Sequence, residues 1–282
     1  MSRQVKNQPL RFHGGKSYLA SWLHSLAPVG TKKSKSSPLY THRNIVFSGG
    51  LGEFWNWLPY EGISECINDA NDELINFYSV LRDERLFKKF QTEISLYPPF
   101  SRTTWKSFCE TVETDTVKRA VAFFVRFRMS RQGLAKDFAT PTRRTRRGMN
   151  ENVSAYLSVV DGLVECHERI RRVELDCLDF RDFIEQRDHP NALFYLDPTY
   201  LPETRVSHGE YGQFEMSKDD HRDMLDQLST IEGKFMLSGY ESDMYNKWAA
   251  KHGYECHQYL IDAKSSSKRE KDERIECVWT NY

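Results

Sequence analysis

Hydrophobic positions along the chain follow two rhythms. Short apolar-rich runs that read as strands occur at Asn44-Ile45-Val46-Phe47, Ile63 to Asn68, Ala192-Leu193-Phe194-Tyr195-Leu196 and Lys234-Phe235-Met236-Leu237-Ser238. Tyr254 to Ile261 and Ile275 to Trp279 read as a closing antiparallel pair. Helical spacing fills the intervals. Ser17 to Leu26 predicts a short helix, and Glu73 to Leu81 a second, capped by Asn71 or Asp72, with Leu74, Phe77, Tyr78 and Leu81 on its apolar face. Phe87 to Tyr97, Asp115 to Arg131 and Val153 to Arg171 predict three more. Ser217 opens another, with Asp219 and Asp220 in a first turn that favours negative charge, and Ser242 to Lys251 is the last. Thr31 to Ser37 and Gly133 to Asn150 read as polar loops, and Asp262 to Glu273 as a polar, mobile connector.

In chain order this gives strand, glycine loop, helix, strand, acid, helix, the opening of a doubly wound α/β sheet. A helical stretch then interrupts the alternation, which resumes at Ala192. No internal repeat is visible. The expected division is a first part over residues 1–82, a helical insertion over 83–172 and a second part over 173–282.

Composition narrows the class. Hydrophobic residues are 39% of the 282 and aromatics 13%, enough for a packed core and against wholesale disorder. No apolar run approaches the length of a membrane span, and Met1 to Gln8 lacks the apolar stretch of a signal peptide. The six cysteines are scattered without a CxxC pair, which fits reduced thiols. Cys166-His167 and Cys256-His257 lack partners at ligand spacing, so no metal is expected. These features together predict a cytoplasmic setting.

Formal net charge is zero, but the charges are segregated. Arg102 to Arg147 holds twelve Lys/Arg against four Asp/Glu, a local excess of eight positive charges. Most of it lies in Arg126, Arg128, Arg131, Lys136, Arg143, Arg144, Arg146 and Arg147, an electrostatic footprint suited to nucleic acid. A basic helix paired with the acidic remainder is the alternative.

Candidate chemistry concentrates at strand ends. Asp197-Pro198-Thr199-Tyr200 follows the third apolar run. It offers a carboxylate, the carbonyl of a residue with fixed φ, and a ring, a set able to grip an exocyclic amino group and stack on the base that bears it. Read alone, it is equally an ordinary Asp-Pro turn. Phe47-Ser48-Gly49-Gly50-Leu51-Gly52 is a glycine turn leaving a strand, and Asp69 follows Gly49 by twenty residues, where an acid accepts ribose hydroxyls. The dinucleotide fingerprint fails, because its third glycine falls on Trp55. Gly14-Gly15-Lys16-Ser17 is not a P-loop, because that motif's first glycine would fall on Leu10. No cysteine follows a proline, which disfavours cytosine C5 methylation.

As an ordered set these elements resemble the Dam-like (alpha-group) DNA adenine-N6 methyltransferases. The matches are Phe12 to Lys16, Phe47 to Gly52, Asn68 to Tyr78, Asp179-Phe180, Asp197 to Tyr200, Leu237 to Tyr240 and Glu276 to Trp279. The resemblance implies a Rossmann-like methyltransferase sheet with antiparallel C-terminal strands and a helical insertion that recognises the target. It also implies transfer of a methyl group from S-adenosylmethionine to an adenine flipped out of double-stranded DNA. By it, Phe12 and Lys16 hold the methionyl end, Phe47, Gly49, Gly50 and Gly52 pass beneath it, Asp69 takes the ribose, and Asp179 and Phe180 take the cofactor adenine. Asp197 and the Pro198 carbonyl accept from the target amino group, and Tyr200 stacks on the base. Thr199 departs from the second proline usual in the family, which bears on base choice and rate. A monomer is expected, with a dimer left open, and a bacterial or phage-type setting with a restriction partner is compatible. Cytosine-N4 or RNA adenine methylation, and a non-catalytic DNA-binding protein with a degenerate cofactor site, stay open as alternatives.

Overall fold

A computed structural model describes residues 5–32, 35–57, 61–205, 209, 211–261 and 274–282. Its strands in chain order are β1 (Val29–Lys32), β2 (Lys35–Pro38), β3 (His42–Ile45), β4 (Ser64–Asn68), β5 (Thr145–Arg146), β6 (Met149–Asn150), β7 (Glu174–Asp176), β8 (Ala192–Leu196), β9 (Lys234–Tyr240), β10 (Glu255–Ile261) and β11 (Arg274–Thr280). Its helices are α1 (Ala20–Leu26), α2 (Asp72–Arg82), α3 (Glu84–Ser95), α4 (Arg102–Glu110), α5 (Thr116–Arg128), α6 (Glu151–Ile170), α7 (Phe180–Arg187), α8 (Lys218–Leu228) and α9 (Asp243–His252). The fold is mixed α/β, as the alternation of apolar runs and helical stretches predicts. The chain divides into two compact units: Met1–Leu26, Gly49–Glu61 and Asn71–Cys177 form the first, and Ala27–Ser48, Gly62–Ala70 and Leu178–Tyr282 the second.

The first unit is helical. Asn71 caps α2 by accepting from the backbone N–H groups of Glu73 (3.2 Å) and Leu74 (3.3 Å), a contact worth about 1 kcal/mol. Leu74, Phe77, Tyr78 and Leu81 are all buried, as their spacing predicts. Phe77 stacks on Phe123 (5.9 Å) and Phe124 (6.2 Å) of α5 and meets Phe90 of α3 edge-on (6.1 Å). Arg119 of α5 binds Glu73 (2.8 Å) and Asp72 (2.9 Å), so part of the basic segment is neutralised by the acidic first turn of α2.

Two local readings are corrected, and one helix that the pattern did not show is added. Of the expected loop Thr31 to Ser37, residues 31–32 and 35–37 belong to the antiparallel β1–β2 pair, with Val29 opposite Pro38 and Lys32 opposite Lys35. Such a ladder needs no apolar alternation, so the pattern did not reveal it. Arg102–Glu110 is helical although only Trp105 and Phe108 offer an apolar stripe; the Ser101 hydroxyl, accepting from Thr104 N at 3.2 Å, is its start signal. The expected loop over Gly133 to Asn150 contains the β5–β6 hairpin, turned at Arg147 (φ 54°) and Gly148 (φ 73°). Two left-handed residues ending in glycine are the signature of a tight hairpin turn. The connector Asp262 to Glu273 lies outside the described residues.

The second unit carries the sheet. Its strands run in the order β10-β11-β9-β8-β3-β4. Pairings from β9 through β8 and β3 to β4 are parallel, while β10–β11 and β11–β9 are antiparallel. The chain lays down β3, then β4 on one side, and later returns to lay β8 and β9 on the other. The order therefore reverses between β3 and β8, the topological switch point where open α/β sheets open a crevice at the carboxyl ends of their strands. Strand β8 is buried along its whole length, as an unbroken apolar run requires. Its Phe194 and Leu196 join Phe235, Leu237, Trp248 and Trp279 in one apolar core. Arg43 and Glu65 face each other across β3 and β4 as a buried ion pair at 3.1 Å. Among the described residues, no helix is long and apolar enough to cross a membrane.

Candidate active site

In the second unit, four parallel strands deliver their carboxyl ends to one edge of the sheet. Phe47 and Ser48 follow β3, Asp69 follows β4, Asp197 follows β8, and Tyr240 ends β9. Ser48 Oγ donates to Asp69 Oδ2 at 3.1 Å, which orients that carboxylate. Asn68, buried one residue earlier, donates through Nδ2 to the carbonyls of Val46 (3.1 Å) and Leu178 (3.0 Å) and accepts from Leu178 N–H at 2.9 Å. One amide thus ties the end of β3 to the segment leading into Asp179-Phe180.

Asp179 is the N-cap of α7, accepting from Arg181 N–H at 2.9 Å, and its carboxylate also pairs with the Arg181 guanidinium at 3.2 Å. Arg181 reaches on to Asp220 (2.6 Å) and Asp223 (2.7 Å). The guanidinium hydrogen bond, followed by that of Ser217, holds the Asp220 carboxyl down to about 2. Phe180 is buried against Phe47, ring centroids 5.7 Å apart, and carries the Arg181 guanidinium 4.3 Å above its ring. Asp179 thus serves helix α7 and Arg181 in addition to any ligand.

The Asp197 to Tyr200 turn leaves β8 with Pro198 buried and Asp197 and Thr199 partly exposed. Tyr200 is 7% exposed; its hydroxyl donates to Glu276 Oε2 at 2.7 Å, and its ring meets Tyr240 edge-on at 4.6 Å. Glu276 and Tyr240 are direct partners in the β11–β9 ladder, so two strands hold this ring. Burial first, then the negative charges of Asp197 and Glu276, pushes the phenol well above its ordinary value. It stays protonated at neutral pH, as a donor to Glu276 must. Behind the turn lies His221, fully buried, with Nδ1 2.8 Å from the Tyr245 hydroxyl. Burial lowers the imidazole to about 4; a hydrogen bond to the Thr199 backbone and then the Asp220 charge oppose the shift, and Arg205 adds to it.

Sequence reasoning passed Ser48, Asn68, Tyr240 and Glu276 only within motif elements and gave none of them a role. Glu276 had a signal: it is the lone charge inside Ile275 to Trp279 and is 2% exposed.

In the first unit, two of the expected cofactor elements pack on each other. A Cβ on Gly50 would stand 2.5 Å from Phe12 Cβ, and one on Gly52 would stand 2.7 Å from the Lys16 nitrogen. These glycines are required because the Phe12 to Lys16 element lies directly on their backbone. Donors from the protein fix the loop: Tyr78 Oη on the Gly49 carbonyl (2.7 Å), Trp55 Nε1 on Gly50 (3.1 Å), and Asn56 Nδ2 (2.9 Å) and Gln8 Nε2 (3.2 Å) on Gly52. Phe12 stacks nearly coplanar on Phe127 at 5.2 Å, and Lys16 is buried.

The basic residues separate by environment. Arg131, Lys136, Arg143, Arg144 and Arg146 are exposed. Arg147 is exposed but anchored, donating to Ser154 Oγ (3.0 Å) and to the Ser154 carbonyl (2.8 Å). Arg126 is half-buried along α5, with Nε 3.4 Å from the Ala122 carbonyl. Arg128 is also half-buried, and desolvation together with the Arg11 charge lowers its guanidinium to about 10. Of these eight candidates, the exposed ones fall on residues 131–147, after α5. Among the described residues, no group of three or more His, Cys, Asp or Glu is placed to hold a metal.

No curated protein matches the chain. The model of the D12 class N6 adenine-specific DNA methyltransferases matches residues 12–264, from Phe12 of the first element into the polar connector after β10. A match over most of the length shows that the chain belongs to the D12 class N6 adenine-specific DNA methyltransferases.

Proposed function

We propose that this adenine methyltransferase draws its methyl group from S-adenosylmethionine and acts at a defined site on an adenine turned out of duplex DNA. The observation that supports this most is the convergence of Phe47, Asp69 and the Asp197 to Tyr200 turn on the carboxyl edge of adjacent parallel strands at the switch point. The donor set suits the cofactor. Asp69, oriented by Ser48 at 3.1 Å, is a carboxylate able to accept two ribose hydroxyls, and Phe47 offers a partly exposed ring to a purine. Asp179 and Phe180 complete the adenine end, while Phe12, Lys16 and the Gly49, Gly50 and Gly52 backbone take the methionyl end.

Bound S-adenosylmethionine supplies an electrophilic methyl on a sulfonium. The task left to the protein is to make adenine N6 a usable nucleophile, because its lone pair is delocalised into the ring. The Asp197 carboxylate and the Pro198 carbonyl accept the two amino hydrogens and favour a pyramidal nitrogen, so catalysis is positioning plus electrostatics. Asp197 need not be a strong base, because the amino proton becomes acidic only after transfer. Tyr200, held by Glu276 and Tyr240, stacks on the extruded base and offsets part of an unstacking cost of roughly a few kcal/mol. Arg131, Lys136, Arg143, Arg144 and Arg146 contact DNA, with Arg126, Arg128 and Arg147 shaping the segment that presents them. In this reading residues 1–82 and 173–282 carry catalysis, residues 83–172 carry recognition, and the protein acts as a monomer.

The test is to incubate purified protein with S-adenosylmethionine and a defined duplex, digest to nucleosides and identify the product by mass. N6-methyldeoxyadenosine is expected. Asp197→Ala should abolish it while leaving cofactor affinity by calorimetry within about threefold, since the carboxylate acts on the target amino group. A wild-type protein that leaves no mark on adenine would refute the reading.

A further inference from the structure

After the Asp197 to Tyr200 turn the chain makes an excursion and comes back to it at Met216. Both ends of the excursion are rooted in the core of the second unit, Leu201 at 3% and Met216 at 9% exposure. Thr199 Oγ1 accepts the Met216 N–H at 2.8 Å and closes the neck. A second clasp lies just beyond. Arg205 meets the Glu215 carboxylate with both terminal nitrogens (Nη1 to Oε1 3.3 Å, and Nη2 to Oε2), and Glu215 Oε1 also takes the Tyr211 N–H at 3.1 Å. Directly after Met216 the backbone is locked. Ser217 and Asp220 form a reciprocal capping box at the start of α8, and Asp220 is pinned by Arg181 at 2.6 Å.

The Met216 N–H is therefore a fixed reference point, held from the helix side and from the core. Proline 198 has its φ set by its own ring, but the torsions at residue 199 are not set by any ring. They decide where the Tyr200 ring stands relative to the Pro198 carbonyl. A side-chain oxygen bonded to a fixed amide restrains those torsions without a ring.

We propose that Thr199 is the positioning residue of the target-base site, its hydroxyl oxygen locking the turn that presents the Pro198 carbonyl and the Tyr200 ring to the Met216 amide. This rests on the reading that this turn grips the target amino group. It also gives a physical reason why threonine can stand where the resembling sequences use a second proline: the restraint has moved from a ring to a hydrogen bond.

Three proteins test it: wild type, Thr199→Ser, which keeps the oxygen, and Thr199→Val, which keeps the shape and removes the acceptor. Each is measured for kcat, KM for DNA, cofactor affinity, melting temperature and amide exchange at Met216. Thr199→Val is expected to lower kcat about tenfold and to speed Met216 exchange by a similar factor, the scale of one lost hydrogen bond. Its cofactor affinity should stay within about twofold, because Asp69 is oriented by Ser48 and not by the neck. Thr199→Ser should restore kcat and exchange to within about threefold of wild type. Wild-type kcat in Thr199→Val, or equal losses in the Ser and Val variants, would overturn the proposal. So would a kcat loss that merely tracks lower melting temperature and weaker cofactor binding. A wild-type protein that methylates no adenine would instead defeat the proposed function, and Met216 exchange would then decide whether the latch exists.

Discussion

Gly133 offers a calibrated test of the packing between the basic segment and the Phe12 element. Its φ is +71°, and a Cβ there would stand 2.2 Å from the Arg11 oxygen, 2.5 Å from the Arg11 carbonyl carbon and 2.9 Å from the Phe12 nitrogen. All three are backbone atoms, so no rotamer change relieves the overlap. Gly133→Ala therefore carries two penalties: about 1 kcal/mol for a left-handed alanine and about 1–3 kcal/mol for forced displacement in a packed site. Gly148 isolates the first, since its φ is +73° and a Cβ there would meet nothing within 4 Å. In a chain of this size 1 kcal/mol moves Tm by about 2–4 °C, so Gly148→Ala should lose roughly that and Gly133→Ala two to four times as much. Scanning calorimetry of both variants reads the difference. Titration with S-adenosylmethionine adds a second readout: displacing Arg11 and Phe12 should weaken cofactor binding in Gly133→Ala and leave it unchanged in Gly148→Ala. Equal melting losses in the two would refute the close approach.

Three further outcomes are expected. Replacing Arg143 and Arg144 together by alanine should weaken DNA binding across sequences and reduce the salt slope of log K by about 2, read from titrations at several salt concentrations; an unchanged slope would remove both from the phosphate interface. Tyr200→Phe keeps the ring but deprives buried Glu276 of its 2.7 Å donor, so thermal unfolding should show a loss of about 1–3 kcal/mol while adenine methylation persists; complete loss of product would mean that the hydroxyl, not the ring, is needed. For His221 the folded value of about 4 lies below the ordinary 6.5. The unfolded chain therefore binds the proton first, so the stabilisation is full above about pH 6.5 and is lost as pH falls to about 4, some 3 kcal/mol in all. Urea melts across that range should be flatter for His221→Gln, and parallel profiles would show that the imidazole does not titrate differently on folding.

Much of the sheet was legible because burial on both faces writes an unmistakable pattern. Ala192 to Leu196 has no polar residue, and it forms β8 at the predicted bounds. Polar capping residues were equally readable, since Asn71 and Ser217 act as N-caps through the side-chain oxygens the sequence displays. The β1–β2 and β5–β6 pairs were hidden, because short polar ladders are held by backbone bonds and turn geometry rather than by apolar alternation. Of the candidate site, the strand-end acids and the glycine turn stood out in the sequence as motifs. Its supporting layer did not: that Ser48 holds Asp69, that Glu276 holds Tyr200, or that Thr199 holds Met216 depends on partners 17 to 76 residues away along the chain. Charge segregation was visible, but which arginines remain exposed was decided by packing. Arg119 and Arg128 lie on the same expected helix, yet one is tied to Glu73 and the other is half-buried near Arg11.

The Asn68 amide has a consequence for how such an enzyme can diversify. It joins backbone positions 110 residues apart as though they were neighbours on a ladder, so Asp69 and Asp179 keep their places whatever the chain does between them. Lengthening a tethered excursion is cheap, with each doubling adding only about 0.6 kcal/mol of closure entropy. Insertions in the intervening stretch that spare Tyr78, Phe127 and Gly133, which hold or pack on the glycine loop and the Phe12 element, are thus expected to leave methyl-donor affinity unchanged.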